Sequence, residues 1–224
     1  MKIFSTIFLA ILTTSVFSQE IITKEVGDFN ELKVYDLIVV TLIPSNENKV
    51  VIKGEDVQDV KIVNNNGILK VKMETEKIFR GEDTYVEVYF KSIDILDVNE
   101  GSYIVGNEMI SQNTIELRAQ EGGKIKVGLE VNHTKIKAVT GGIVEASGVS
   151  KSQDITLSSG GIFEGRDLKT EDTTIGVTAA GKADIYASNK ADVRVAAGGN
   201  VNIYGNPKTL SEKTFAGGRI KRMN

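Results

Sequence analysis

The sequence predicts an all-β fold, a right-handed parallel β-helix, or solenoid, with a less regular β-rich N-terminal half. Two observations support this prediction. A glycine-led segment recurs about every twenty residues between Gly101 and Gly205, the spacing typical of solenoid repeats. A second set of alternating residues recurs in phase with the first, so both sets shift together at each insertion or deletion.

The repeated segments read as β-strands because apolar and polar residues alternate within them. The first set starts at Gly101, Gly123, Gly142, Gly161, Gly181 and Gly199, and the second at Ile115, Ile136, Ile155, Ile175 and Val193. Val144 and Ala146, for example, share one side of an extended chain, whereas Glu145 falls on the other. Stacked parallel coils, about 4.8 Å apart, bury such apolar sides in continuous columns. The glycines supply positive φ or room for close backbone contact, and right-handedness follows from the general preference of crossovers.

Residues 1–18 are predicted to be a signal peptide. Lys2 precedes the apolar run Ile3–Leu12, and small residues follow before Gln19, a pattern typical of cleaved leaders. The run is shorter than the roughly 18 residues of a membrane-spanning helix, which favours cleavage over an uncleaved anchor. The chain has no cysteine, so we expect neither a lipoprotein signal nor disulfides. The protein should be exported to the periplasm, the outer membrane or the outside of the cell.

A single domain is expected over residues 19–224. Within it, we assign residues 19–100 to an irregular β-rich cap, 101–206 to regular coils and 207–224 to a C-terminal cap or tail. Both ends need caps, because the end of a solenoid exposes its apolar interior and unpaired strands.

Two local signals stand out in the N-terminal half. Asn66-Gly67 lies between two apolar segments and predicts a tight hairpin turn. The apolar run from Leu37 to Ile43 is interpreted as a strand buried on both faces.

Composition and charge indicate to which structural and functional classes the protein belongs. The chain is 41% hydrophobic, with 22 glycines and two prolines, as in a globular, strand-rich protein. The net charge of −3 is spread along the sequence, which predicts neither nucleic-acid binding nor a polybasic membrane patch. The basic segment Arg219–Arg222 is interpreted as a solvated tail.

No catalytic constellation is evident. The only histidine, His133, is predicted in a surface turn, whereas a nucleophile site needs a base beside a hydroxyl or thiol group. One histidine without cysteine also disfavours zinc. The glycines precede strands, and so do not form a phosphate-binding loop before a helix. We therefore expect no enzyme activity, no metal site and no cofactor.

Carboxylates and tyrosines are the candidate binding residues. Glu145, Glu164 and Asp184 take the same position in consecutive coils and should form an outward column, about 5 Å apart. Acids at this distance suit calcium or resemble a glycosidase pair, but a water-facing column explains them as well. Tyr186 and Tyr204 also match between coils, and such aromatics serve carbohydrate or protein contacts or form an ordinary ladder.

The order of motifs resembles a known family. The motifs are Phe29-Asn-Glu-Leu-Lys-Val34, Val51-Ile-Lys-Gly54, Asn66-Gly-Ile-Leu-Lys-Val71, Asp94-Ile-Leu-Asp-Val-Asn-Glu-Gly-Ser102 and Val201-Asn-Ile-Tyr-Gly-Asn-Pro207. Together they are similar to the putative auto-transporter adhesin family with the head GIN domain, common among exported proteins of Gram-negative bacteria. The family's Gly-Ser-Gly turns appear here as Glu100-Gly-Ser and as Gly-Gly pairs. The resemblance covers nearly all of the mature chain, implies a right-handed β-helix with an adhesion role, and supplies no catalytic residue.

The sequence therefore favours a non-enzymatic exported module that presents its surface to a carbohydrate or an envelope protein. One alternative is a polysaccharide lyase or hydrolase on the same fold, because fold does not fix function. Another is a structural scaffold that self-associates end to end or face to face as a homo-oligomer. A flat face of small residues suits either adhesion or self-association, and its members are Thr156, Ser158, Thr178 and Ala196. We expect no nucleic-acid partner and no transmembrane segment in the mature chain.

Overall fold

Parallel coils stack along one axis to form a β-solenoid of about seven turns, with 66% of the described residues in strands. This is a computed structural model, and it describes residues 20–223. The predicted fold class is thereby confirmed, whereas the predicted signal peptide at residues 1–18 lies outside the described residues. Within residues 20–223, no helix has the length and hydropathy of a membrane span.

Eighteen strands and two short 3₁₀ turns, at Val57–Asp59 and Thr75–Lys77, make up the described chain. The strands are β1 (Ile22–Glu25), β2 (Glu31–Val34), β3 (Val39–Pro44), β4 (Lys49–Gly54), β5 (Val60–Asn65), β6 (Ile68–Met73), β7 (Thr84–Phe90), β8 (Ile95–Val98), β9 (Tyr103–Ala119), β10 (Lys124–Val139), β11 (Ile143–Ser158), β12 (Ile162–Glu164), β13 (Leu168–Thr178), β14 (Lys182–Tyr186), β15 (Lys190–Ala196), β16 (Asn200–Tyr204), β17 (Thr209–Phe215) and β18 (Arg219–Arg222).

The strands pair into two long ladders. Ladder A runs through β1, β4, β7, β3 and the first parts of β9, β10 and β11, and continues through β12, β14, β16 and β18. Ladder B runs through β5, β6, β2, β8 and the last parts of the same three strands, and continues through β13, β15 and β17. The strands β9 to β11 are 16 or 17 residues long because each passes through both ladders without a break.

The core consists of apolar columns that run along the axis. One column on ladder A contains Ile104, Ile125, Val144, Phe163, Ala183 and Val201. All six side chains are buried, as are Val127, Ala146, Ile185 and Ile203, so the predicted inward positions are confirmed. This packing follows from the period of two, which turns every second side chain of each strand toward the same interior.

Glycine shapes one corner of each coil. Two successive residues there adopt left-handed φ angles between 48° and 91°, as in Thr140-Gly141 and Ser159-Gly160. The next residue, such as Gly161, lies against the coil below: a Cβ placed on it would be 1.9 Å from the Ala138 oxygen. Hydrogen bonds also join the corners of successive coils. The Gly160 amide donates over 3.0 Å to the main-chain oxygen of Ala179, which occupies the position of Ser159 in the next coil. Both predicted reasons for glycine, positive φ and close contact, are therefore present.

The register of the first regular coil differs from the predicted one. Ile104 pairs with Ile125, so that Ser102, and not Gly101, corresponds to Gly123. In the second set, Leu117 pairs with Ile136, so Ile115 is not its equivalent. Glu100-Gly101 form the left-handed pair equivalent to Glu121-Gly122, so the predicted alignment is one residue off at the corner. In the second set the reason is that β9 carries extra residues after Val105, where the pairing with β10 shifts. A bulge of this kind is not visible from spacing alone.

The N-terminal half is threaded through the stack. Strand β2 lies between β6 and β8, and β3 lies between β7 and β9, so the first coil in sequence is flanked by two coils formed later. The antiparallel strands β1, β4 and β5 cover the outer end. Asn66 and Gly67, with φ of 51° and 79°, form the predicted hairpin turn between β5 and β6.

Two predicted segments are different in the structure. The run from Leu37 to Ile43 is not a strand buried on both faces: Leu37 is in a left-handed turn with φ of 66°, and in β3 only Val40 and Leu42 are buried, because no second layer covers the outer side. The segment Arg219–Arg222 is not a tail but strand β18, which pairs in parallel with β16.

Candidate functional site

The predicted acidic residues form a column on the outer side of ladder A. Glu145 pairs in register with Glu164, and Glu164 with Asp184. Asn202 and then Lys221 continue the same column. The strands β11, β12 and β14 thus place the three carboxylates on neighbouring coils.

Two of these three carboxylates have polar side-chain partners. The Lys126 and Lys124 ammonium groups lie 2.7 Å and 3.3 Å from the oxygens of Glu145. The hydrogen bond from Lys126 holds the pKa of the Glu145 carboxyl below its usual range, despite some desolvation, with further help from Lys124. Asp184 accepts a hydrogen bond of 2.8 Å from the Asn202 amide, whereas Glu164 is exposed. Within residues 20–223, no three His, Cys, Asp or Glu side chains are grouped closely enough to hold a metal ion.

The two predicted tyrosines also stack in register, and each has a cation over its ring. Tyr186 pairs with Tyr204 between β14 and β16. The Lys169 ammonium lies 4.3 Å from the centre of the Tyr186 ring, and the Arg166 guanidinium lies 4.8 Å from that of Tyr204. Such contacts restrict the ring positions and add a favourable interaction of about 0.5–1 kcal/mol at exposed sites.

A groove of about 540 Å³ lies where the long strands bend from ladder A to ladder B. We call it the bend groove. Its lining comprises Ser111, Gln112, Glu130, Val131, Asn132, Val149, Ser150, Lys151, Lys169, Thr170, Glu171, Tyr186 and Ser188. These residues form in-register rows across four coils, such as Ser111, Glu130, Val149 and Lys169. The groove therefore follows the solenoid axis and offers donors, acceptors, both charges and one aromatic ring.

Residues 28–207 match the family described as putative auto-transporter adhesin, head GIN domain. The chain belongs to this family. No curated protein matches the sequence.

Solved structures share the fold of this head GIN domain. A putative adhesin from Bacteroides fragilis is 14% identical, with a TM-score of 0.85 over 93% of this chain and 98% of that one. A putative adhesin from Parabacteroides distasonis is 18% identical, with a TM-score of 0.74 over 92% and 97%. A putative lipid binding protein from the same organism is 12% identical, with a TM-score of 0.69 over 93% and 98%. At these identities, the likeness establishes the solenoid architecture.

Buried polar side chains support the bend groove from inside. The Thr134 hydroxyl donates to the Ser150 hydroxyl over 3.0 Å. Gln153 donates to the Thr173 hydroxyl over 2.9 Å, and Thr173 donates to the main-chain oxygen of Tyr186 over 2.8 Å. Because these groups are buried and bonded to one another, they fix the main chain beside the groove.

The bend groove was not predicted, although the sequence contains a signal for it. Thr134, Gln153 and Thr173 occupy inward positions of consecutive coils, where the alternation elsewhere places apolar residues. Three polar residues at one inward column indicate a local departure from the apolar core. The bend itself leaves no turn residues, because it occurs within continuous strands.

His133 lies in strand β10 of this head GIN domain, and not in the predicted turn. Its Nδ1 is 2.9 Å from the Ser152 hydroxyl, and its Nε2 is 3.7 Å from an oxygen of Asp154. The three residues form a polar row on the outer side of β10 and β11, and none of them lines the bend groove. The ring is partly exposed, in agreement with the predicted surface position.

Proposed function

We propose that this head GIN domain is an exported, non-enzymatic adhesion module that binds a glycan in the bend groove. The observation that carries the proposal is the groove itself, a depression across four coils that mixes polar and apolar side chains, with the rigidly held Tyr186 at one end. The adhesin description of the family and of the solved neighbours supports a binding role. The leader pattern of residues 1–18 supports export.

The chemistry of the groove favours a carbohydrate as its ligand. Sugars present many hydroxyl groups, and Gln112, Asn132 and Ser188 offer both donors and acceptors at the groove wall. The groove spans four coils, and three coil spacings separate the first from the last. This length of about 14 Å suits a short linear oligosaccharide lying along the axis. The aromatic face of Tyr186 provides apolar contact for the C–H side of a ring.

The remaining predicted binding residues extend this surface. Asp184 lies two residues before Tyr186 on β14, and Glu164 and Glu145 follow on the coils beside it. Tyr204 stacks on Tyr186 from the next coil. We propose that these residues contact the part of the ligand that leaves the groove, with Glu164 the most accessible of the three acids.

A glycan array with the chain from residue 19 onward tests the proposal. The wild type should bind a restricted set of glycans, with or without calcium. Tyr186→Ala should lower the affinity for the selected glycans about tenfold, since a lost aromatic contact is worth about 1 kcal/mol or more. Tyr85→Ala is the matched control, because Tyr85 is 51% exposed on β7 and does not line the groove.

Two outcomes would overturn the proposal. If the wild type binds no glycan, carbohydrate is not the ligand. If Tyr186→Ala binds glycans as tightly as the wild type, the bend groove is not the binding site. Turnover of a bound polysaccharide that is lost in Glu145→Gln or Glu164→Gln would instead favour a lyase or hydrolase.

A further inference from the structure

The last coil that the structure describes has a charge unlike that of the rest of the chain. We call residues 208–222, which contain β17 and β18, the end coil. It holds five basic residues and one acid, a formal charge of +4 in a chain whose net charge is −3. By contrast, residues 20–100 hold 17 acids and 10 basic residues, a formal charge of −7. The two ends of the solenoid axis are therefore oppositely charged.

The end coil keeps Leu210 and Ile220 as apolar inward residues but replaces the other three inward positions with polar ones. Glu212 follows Val193 in register, Thr214 follows Val195, and Arg222 follows Ile203. Glu212 and Arg222 face each other across the coil, with 3.3 Å between the carboxylate and guanidinium atoms. A second solenoid stacked on this end would bury an ion pair and a hydroxyl against an apolar interior, which is unfavourable. This end is built to face a polar environment rather than another copy of the chain.

The outer side of the end coil combines free cations with one exposed aromatic ring. Lys208, Lys213, Arg219 and Lys221 are exposed, and within residues 20–223 none of the four has a carboxylate within 4 Å. Phe215 is 78% exposed, the largest value among the exposed large apolar side chains of the described residues. Along the coil, Lys213 precedes Phe215 on β17 and Arg219 follows it at the start of β18. Basic residues that flank an exposed aromatic ring are typical of surfaces that bind at a lipid–water interface.

We propose that the end coil docks on an anionic lipid bilayer, with its cations at the headgroups and Phe215 in the interface. Charge complementarity selects the anionic surface, and the exposed ring selects a lipid interface over a purely polar polyanion. The −7 segment at the opposite end is repelled by the same surface, so the solenoid axis points away from the bilayer. The groove residue Ser188 lies two residues before β15, which pairs directly with β17, so the bend groove begins about one coil spacing, roughly 5 Å, from the docked coil.

Co-sedimentation with vesicles tests this docking. The chain from residue 19 onward should bind vesicles of phosphatidylglycerol and phosphatidylcholine, and should bind vesicles of phosphatidylcholine alone much more weakly. Each cation near an anionic surface contributes about fivefold to partitioning, so Lys213→Gln, Arg219→Gln and Lys221→Gln together should reduce it about a hundredfold. Salt at about 0.5 M should have a similar effect, because it shortens the screening length.

A matched variant at the other end separates the site from overall charge. Lys61→Gln, Lys70→Gln and Lys72→Gln remove three cations from β5 and β6 and should leave vesicle binding unchanged or stronger. Phe215→Ala should weaken binding at fixed charge. Melting temperatures of all variants report whether they fold.

The proposal is overturned by equal binding to neutral and anionic vesicles, or by equal losses in the two triple variants. It is also overturned if Phe215→Ala binds vesicles as the wild type does while heparin binds the end coil as tightly, because the site would then recognise polyanions in general. A wild type that binds anionic vesicles but no glycan would refute the proposed glycan function and leave the docking proposal intact.

Discussion

A single methyl group at Gly161 should destabilise the solenoid far more than the same group at Gly160. A Cβ on Gly161 would be 1.9 Å from the Ala138 oxygen, whereas ordinary contact starts at 3.4 Å. The neighbouring coils must then separate locally by about 1.5 Å, which disturbs the 2.9 Å hydrogen bond from the Ile162 amide to the Gly142 oxygen. Overpacking of about 3 kcal/mol and one weakened hydrogen bond of about 1 kcal/mol give an expected loss of about 4 kcal/mol.

Two other glycines serve as controls for Gly161→Ala. Gly160 has φ of 79°, but a Cβ there meets nothing within 4 Å, so Gly160→Ala should cost only the left-handed conformation, about 1 kcal/mol. Gly176 lies within β13 with open space around it, so Gly176→Ala should be neutral or stabilising by about 0.5 kcal/mol.

Denaturant unfolding of the three variants measures these differences, with thermal melts as a second readout. For a chain of this size, a loss of about 4 kcal/mol lowers the melting temperature by roughly 8–16 °C. If Gly161→Ala and Gly160→Ala lose the same stability, the close contact between coils at the corner does not determine the choice of glycine there.

Two further predictions concern polar side chains. Thr173→Val should lower the free energy of unfolding by about 1–3 kcal/mol, because it removes the buried hydroxyl that accepts from the Gln153 amide and donates to the Tyr186 main-chain oxygen. Thr174→Val on the exposed side should change it by less than about 0.5 kcal/mol, and equal effects in denaturant unfolding would contradict this. The pKa of Glu145 is lowered in the folded state, so its contribution to stability is complete above the ordinary glutamate pKa and is lost as pH falls through the folded value. An NMR titration should show that Lys126→Gln raises the pKa of Glu145, and an unchanged titration would show that Lys126 is not the cause.

The regular coils could be predicted because each one contains the same local sequence pattern. Alternation fixes which side chains face inward, as at Val144 and Ile185, and glycine marks the corner of each coil. The position of β2 between β6 and β8 could not be predicted, since its partners are distant in sequence and no local pattern specifies them.

The candidate site was harder to predict than the fold. The acidic column follows from register and was found, but the lysine contacts that occupy Glu145 depend on side-chain positions. The bend groove depends on strand curvature, for which inward polar residues such as Gln153 are the only local sign. The sequence predicts a tail at Arg219–Arg222 instead of strand β18, because Ile220 is the one apolar residue of this short segment and gives too little alternation to identify a strand.

The threaded first coil has a consequence for how the chain is completed and how its length can change. Strand β2 has a neighbour on each side only once residues up to Val98 are in place, 64 positions after Val34. The N-terminal coils must therefore form together, as one cooperative block. From β10 onward, each coil needs only the preceding coil as its template. Coils can therefore be gained or lost one at a time beyond that block, so that the length of the solenoid can change while the block stays the same.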